Sequence, residues 1–286
     1  MKLAANRYGK ARVRLMKVTR HDGVHELREW TVRVLLEGDF DSAHLEGDNS
    51  RILPTDTMKN TVYSRAKESS AESMEEFAEE LIAFLLRRNQ QVSAVEVKIE
   101  SVLWKRLTVD GEPHPNSFMR GSDEVQTVLT RRTKSEQTSS GEHTSQSGLS
   151  NLVILKTAKS GFEGYIKDEL TTLRETSDRL FGTAITADWI YSTETKSGFN
   201  ELREHIREVM LKAFTEHDSK SVQQTLYAMA EAALNAIPEL VQVHMVMPNK
   251  HCLLVDLNPF GQENANEIFV PIEDPHGYIE ATVTRG

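Results

Sequence analysis

Apolar residues along this chain recur at every second position, then at helical spacing, then at every second position again. Val13 and Leu15 alternate with charged residues between Arg12 and Arg20, and Trp30, Val32, Val34 and Leu36 alternate beyond the turn-rich His21-Asp22-Gly23. A strand sends successive side chains to opposite faces, so two such runs joined by a turn predict a β-hairpin. Thr55 to Lys67 reads as a short helix. Ser73-Met74-Glu75-Glu76 matches a capping box, and Met74, Phe77, Leu81, Phe84 and Leu85 follow on one helical stripe. Strand spacing returns at Val95, Val97 and Ile99, and again from Val125 to Leu129.

From Thr133 to Ser150 the residues turn to Ser, Thr, Gln and Gly, which predicts a flexible linker. The same order of elements then repeats. Val153–Leu155 and the alternating Ala187, Trp189 and Tyr191 predict strands, and Phe199, Leu202, Ile206, Val209 and Ala213 a helical stripe. A second helix is expected from about Ser221, with Val222, Leu226, Met229 and Ala233 inward. Val241, Val243 and Met245 predict a strand that turns at Pro248-Asn249 into another at Leu253 and Val255. Each half thus reads hairpin, helix pair, hairpin, with repeats at 1–135 and 151–286 around a loop at 136–150. Helices grouped between antiparallel hairpins imply an α+β class with helices on one face of a sheet.

The formal net charge of -9 argues against a general nucleic-acid binder, which needs a basic surface. Local cations still leave room for a small anionic substrate. A single cysteine, Cys252, excludes an internal disulfide and cysteine-rich metal sites, and fits a reducing compartment. No apolar run is long enough to span a membrane. The first residues lack the apolar run of a secretory signal, and the last carry no Ser-Lys-Leu address, so the cytoplasm is expected.

Chemistry is hard to read from spacing alone. The ten histidines are scattered without metal-ligand spacing, so no metal is expected. No glycine-rich phosphate loop or Gly-x-Ser-x-Gly elbow occurs. Cys252, in an apolar run, reads as a buried inert thiol. The remaining polar clusters are Tyr8-Gly9-Lys10, Thr55-Asp56-Thr57, Ser221-Val222-Gln223 and Pro248-Asn249-Lys250-His251. Each has an ordinary explanation: Lys10 as a surface lysine, Thr55 or Asp56 and Ser221 as helix caps, Asn249 as a turn residue.

Taken together, in this order, those clusters resemble the urate oxidase (uricase) family. The other anchors are Lys59-Asn60-Thr61, the block from Phe162 to Arg179 with Asp168-Glu169 and Thr171-Thr172-Leu173, Ser221 to Thr225, and the ending Gly277 to Thr282. The resemblance covers nearly the whole chain. It implies a tunnelling fold of two ββααββ repeats, whose antiparallel sheets close into a barrel in the dimer, and a homotetramer with active sites at subunit interfaces. It also implies oxidation of urate by molecular oxygen, without metal or organic cofactor, to 5-hydroxyisourate and hydrogen peroxide. Lys10, Thr55 and His251 would form a proton relay, with Lys10 hydrogen-bonded to Thr55. Arg179 and Gln223 would grip opposite edges of the purine and Phe162 would lie on its face. Main-chain groups of Val222 and Asp56 would complete the ring of contacts, and Asn249 would hold oxygen. Pro54 and Cys252 depart from the usual family residues without removing any of these groups. The alternatives are another purine- or pterin-binding enzyme of the same fold, or a urate-binding protein without catalysis.

Overall fold

Alternation becomes pairing in the computed structural model, which describes residues 1–134 and 142–285. Strands β1 (Tyr8–His21) and β2 (Val24–Gly38) form the expected hairpin, turning at Asp22 and Gly23, both with positive φ. Two left-handed residues suit the twist of a two-residue hairpin loop. Trp30, Val32, Val34 and Leu36 are buried, as every second residue of a half-covered strand must be. Helices α1 (Asp41–Leu45), α2 (Thr55–Glu68) and α3 (Met74–Arg88) follow, then β3 (Val92–Val109) and β4 (Glu112–Thr133).

Helix α3 begins at the expected capping box: Glu76 N donates to Ser73 Oγ (3.2 Å) and Ser73 N to Glu76 Oε2 (3.0 Å). Met74, Phe77, Leu81 and Leu85 enter the core with Val32, Val34, Val97 and Ile99. Phe84, expected on the same stripe, packs at the rim instead, under the guanidinium groups of Arg65 and Arg88 (5.0 and 5.4 Å). These elements belong to a first unit, Met1–Gly148 with Lys196–Asn200, whose strands run in the order β1-β2-β3-β4.

The second unit, Leu149–Thr195 with Glu201–Gly286, repeats the plan. Residues 136–141 of the expected linker lie outside the described residues. Its later part is no loop, because β5 (His143–Lys156) begins there. Strand β6 (Phe181–Tyr191) follows, then α4 (Phe199–Glu216), α5 (Val222–Ala236), β7 (Leu240–Val246), β8 (Asn249–Lys250), β9 (Cys252–Leu254), β10 (Phe269–Pro271) and β11 (Glu280–Thr284). Trp189, Ile206, Met229, Val243 and Met245 meet in its core.

Three expectations are corrected in this unit. Strand β7 pairs with β6 on one side and β11 on the other, not with the 253–255 segment; Leu253 pairs with Val270 in a separate two-stranded sheet and is exposed. A register shift at Ile190/Tyr191 buries Leu240 and turns Val241 outward. Helix α4 buries Arg203, Ile206, Met210 and Phe214; of the expected stripe Ile206 is buried, Leu202 and Ala213 pack partly buried against the core, and Arg203, Met210 and Phe214 take the deepest places. Arg203 fits because its guanidinium carbon stands 5.8 Å from the Trp189 ring. No helix among the described residues is long and apolar enough to cross a membrane.

Candidate active site

The first unit assembles one group of the expected residues. Gly9 lets β1 lie against β2: a Cβ there would stand 1.8 Å from the Val34 carbonyl oxygen. Lys10 follows at a break in register between Lys10 and Val13. The Tyr8 hydroxyl accepts from Leu53 N (2.8 Å) and donates to Leu53 O (3.1 Å), and its ring meets Phe40 edge-on. That clamp ties the start of β1 to the residues just before α2. Thr55 and Asp56 are not the expected helix caps; Pro54 holds the cap position, and they are the first two helical residues. Their N–H groups precede the first helical bond, Met58 N to Pro54 O, and so remain available to an acceptor. Asp56 accepts from Lys59 and Asn60, and its carboxyl is held low chiefly by Lys59, with the Lys10 charge adding to the effect. Among the described residues no hydrogen bond joins Lys10 to Thr55.

The second unit assembles the rest. Phe162 and Thr176 exchange backbone hydrogen bonds (2.7 and 3.2 Å), which folds the 162–179 block back on itself. Arg179 N donates to Ser160 O (2.8 Å), and the guanidinium carbon lies 5.3 Å from the Phe162 ring. Tyr165 also stacks with the Phe162 ring, at 4.9 Å between centroids. Burial pushes the Arg179 pKa down, its Nε is buried without a partner, and no carboxylate pairs with it among the described residues.

The same block is laced to the start of α5. Gly161 N donates to Ser219 O (2.8 Å) and Ser219 N to Lys159 O (3.0 Å). The buried Thr225 hydroxyl donates to Ser219 Oγ (2.7 Å), which in turn donates to Ser221 O (3.1 Å). Ser221 caps the helix as expected, accepting from Gln224 N (3.1 Å), while Lys220 N donates to Gln224 Oε1 (2.9 Å). Val222 and Gln223 therefore present the first N–H groups of α5, ahead of the first helical bond from Thr225 N to Ser221 O. A helix start of this kind favours an anion.

Asn249 sits on a strand rather than the expected turn. It pairs with Thr183 of β6 and its N donates to Gly277 O (2.8 Å). His251, two residues on, is half-buried; burial first, then the charges of Arg179 and His276, push its pKa down. The imidazole is thus held in its neutral form near a guanidinium. Cys252 is half-buried between His251 and exposed Leu253, not sealed in an apolar core. Among the described residues no group of three His, Cys, Asp or Glu side chains could hold a metal ion.

Lys10, Thr55 and Asp56 thus stand in one unit, and Phe162, Arg179, Val222, Gln223, Asn249 and His251 in the other. Tyr165, Ser219 and His276 were missed in the sequence, because no spacing ties them to the residues they touch. Phe162, Arg179 and the anion-favouring start of α5 thus belong to one unit. The family model described as Uricase matches residues 6–131 and 145–280. A uricase of Arthrobacter globiformis is 39% identical, across 99% of this chain and 90% of that protein. One from Aspergillus flavus is 38% identical, across 98% and 96%. The crystal structure of Arthrobacter globiformis uricase superposes with a TM-score of 0.92 at 38% identity, covering 100% of this chain and 95% of that one. A Bacillus sp. TB-90 urate oxidase structure, 23% identical, shares the fold with a TM-score of 0.88 across 98% of this chain and 100% of that one. By the length matched to the family model, its identity to known uricases and its fold of two ββααββ repeats, the chain belongs to the uricase family.

Proposed function

We propose that this chain oxidises urate with molecular oxygen and water, giving 5-hydroxyisourate and hydrogen peroxide. Urate loses two electrons and oxygen gains them, so the reaction balances without another redox partner. The observation that carries the reading is Arg179: a half-buried guanidinium, unpaired among the described residues, fixed over Phe162 beside the free N–H groups of α5. A planar purine anion satisfies both features at once, through paired charge-assisted hydrogen bonds at its edge and stacking on its face.

In this reading Gln223 takes the opposite edge of the ring, with main-chain groups of Val222 and Asp56 completing the contacts. Lys10 and Thr55 collect the proton that leaves bound urate, and His251 passes it on. Neutral His251 suits that task, because a general base must be unprotonated to act. Asn249 holds oxygen above the ring. The dianion left behind is rich enough in electrons to reduce oxygen directly, so no metal or organic cofactor takes part.

Two copies of the chain complete each site in this proposal, one supplying Lys10, Thr55 and Asp56 and its neighbour the other residues, within a homotetramer. The cytoplasm suits a chain with a single, unpaired cysteine.

Chelator-treated protein mixed with urate tests the reading: ultraviolet absorbance of urate should fall while oxygen is consumed and peroxide accumulates in equal amount. Binding of urate without oxygen uptake would refute it. A Lys10→Met variant should bind a urate analogue as tightly as the parent and lose at least about a hundredfold in kcat, in line with the usual worth of acid–base catalysis. An unchanged kcat would remove Lys10 from the relay.

A further inference from the structure

Thr183 is fully buried, and its Oγ1 has no hydrogen-bond partner among the described residues. A buried hydroxyl left unpaired costs free energy, and such groups in native proteins ask for an explanation. Its position supplies one. In the antiparallel pairing of β6 with β8, Thr183 lies directly opposite Asn249. Residues so paired send their side chains to the same face of the sheet. The Asn249 backbone is fixed on its other side as well, by the bond from its N to Gly277 O (2.8 Å). Gly277 brings no side chain there; a Cβ on it would meet the Asn249 Cβ at 3.6 Å. The backbone of Asn249 is thus held from both sides, while its side-chain amide makes no hydrogen bond among the described residues.

We infer that Thr183 is the positioning residue for the Asn249 amide: in the occupied site its hydroxyl donates to Asn249 Oδ1 and turns the amide NH2 toward oxygen. An asparagine amide presents a donor or an acceptor depending on which end faces forward. Oxygen gains negative charge as it is reduced, so only the donor end stabilises it. The inference rests on the reading of Asn249 as the group that holds oxygen, and it names what fixes that residue's direction.

Thr183→Val keeps the shape and removes the hydroxyl. Since that hydroxyl has no partner in the resting protein, the variant should melt at the parental temperature or slightly above it. Its kcat for urate should fall about three- to tenfold, the worth of one hydrogen bond, with KM unchanged. Thr183→Ser, which keeps a donor, should recover most of the rate. A parental kcat in Thr183→Val would overturn the inference, as would a lowered melting temperature with kcat and KM both altered, which marks a merely structural role. Absence of urate turnover in the parent protein would overturn the functional reading and this inference with it. Normal turnover in both parent and Thr183→Val would overturn this inference alone.

Discussion

Arg179 and His251 show how much of a side chain's chemistry comes from its neighbours. Burial and the Arg179 charge both favour neutral imidazole, so His251 titrates below its ordinary value of about 6.5. The sign follows: stability from neutral His251 is complete above about pH 6.5 and is lost as the pH falls through its own lower value. Replacing Arg179 with Gln removes one of the causes, so an NMR titration of the variant should place the His251 midpoint higher than in the parent. The same variant should raise KM for urate by at least about tenfold, because a charge-assisted pair is worth more than an ordinary hydrogen bond. A midpoint that stays put would mean that burial alone sets it. None of this coupling was legible in the sequence, where 72 positions separate the two residues. The family motifs brought both into view, and only coordinates revealed that one acts on the other. Tyr165, stacked on Phe162, escaped for the opposite reason: an aromatic three residues away in a loop carries no periodicity to read.

Elements were legible where local chemistry decides them. The Ser73–Glu76 box and the Asp22-Gly23 turn fix a helix start and a hairpin from a few adjacent residues, and both formed as expected. Ser73→Ala removes the acceptor for Glu76 N and should lower the unfolding free energy by about 1 kcal/mol in a denaturant titration. Little change in kcat should accompany it, because α3 carries none of the candidate site residues. Illegible elements were those whose partner is distant. Strand β7 finds β11 only after a detour through β8, β9 and β10, and nearer apolar residues at Leu253 and Val255 drew the expectation away. On α4 the buried stripe includes Arg203, a residue that a polar-out rule assigns to solvent until Trp189 offers it a ring.

For the whole molecule, the division of candidate residues between two units yields the most telling prediction. Lys10→Met and Arg179→Gln damage different units. At urate well below KM, each variant alone should show about a tenth of the parental rate or less. Unfolded, mixed and refolded together, they should recover about one quarter of the parental rate, because random pairing in a twofold assembly gives that share of sites two intact contributions. With both variants impaired alone, failure to recover activity on mixing would place Lys10 and Arg179 in the same chain's site. The repeated order of elements was legible, since each round of strand, helix-pair and strand periodicity is local to its own half. The clamp of Tyr8 on Leu53 then acquires a further meaning. It sets the geometry of Lys10 and Thr55 inside a single unit, before any neighbour arrives. In the proposed two-chain site, each newly made polypeptide therefore carries this part already folded and needs only a second copy. Under that proposal dilution acts as an inhibitor and crowding as an activator.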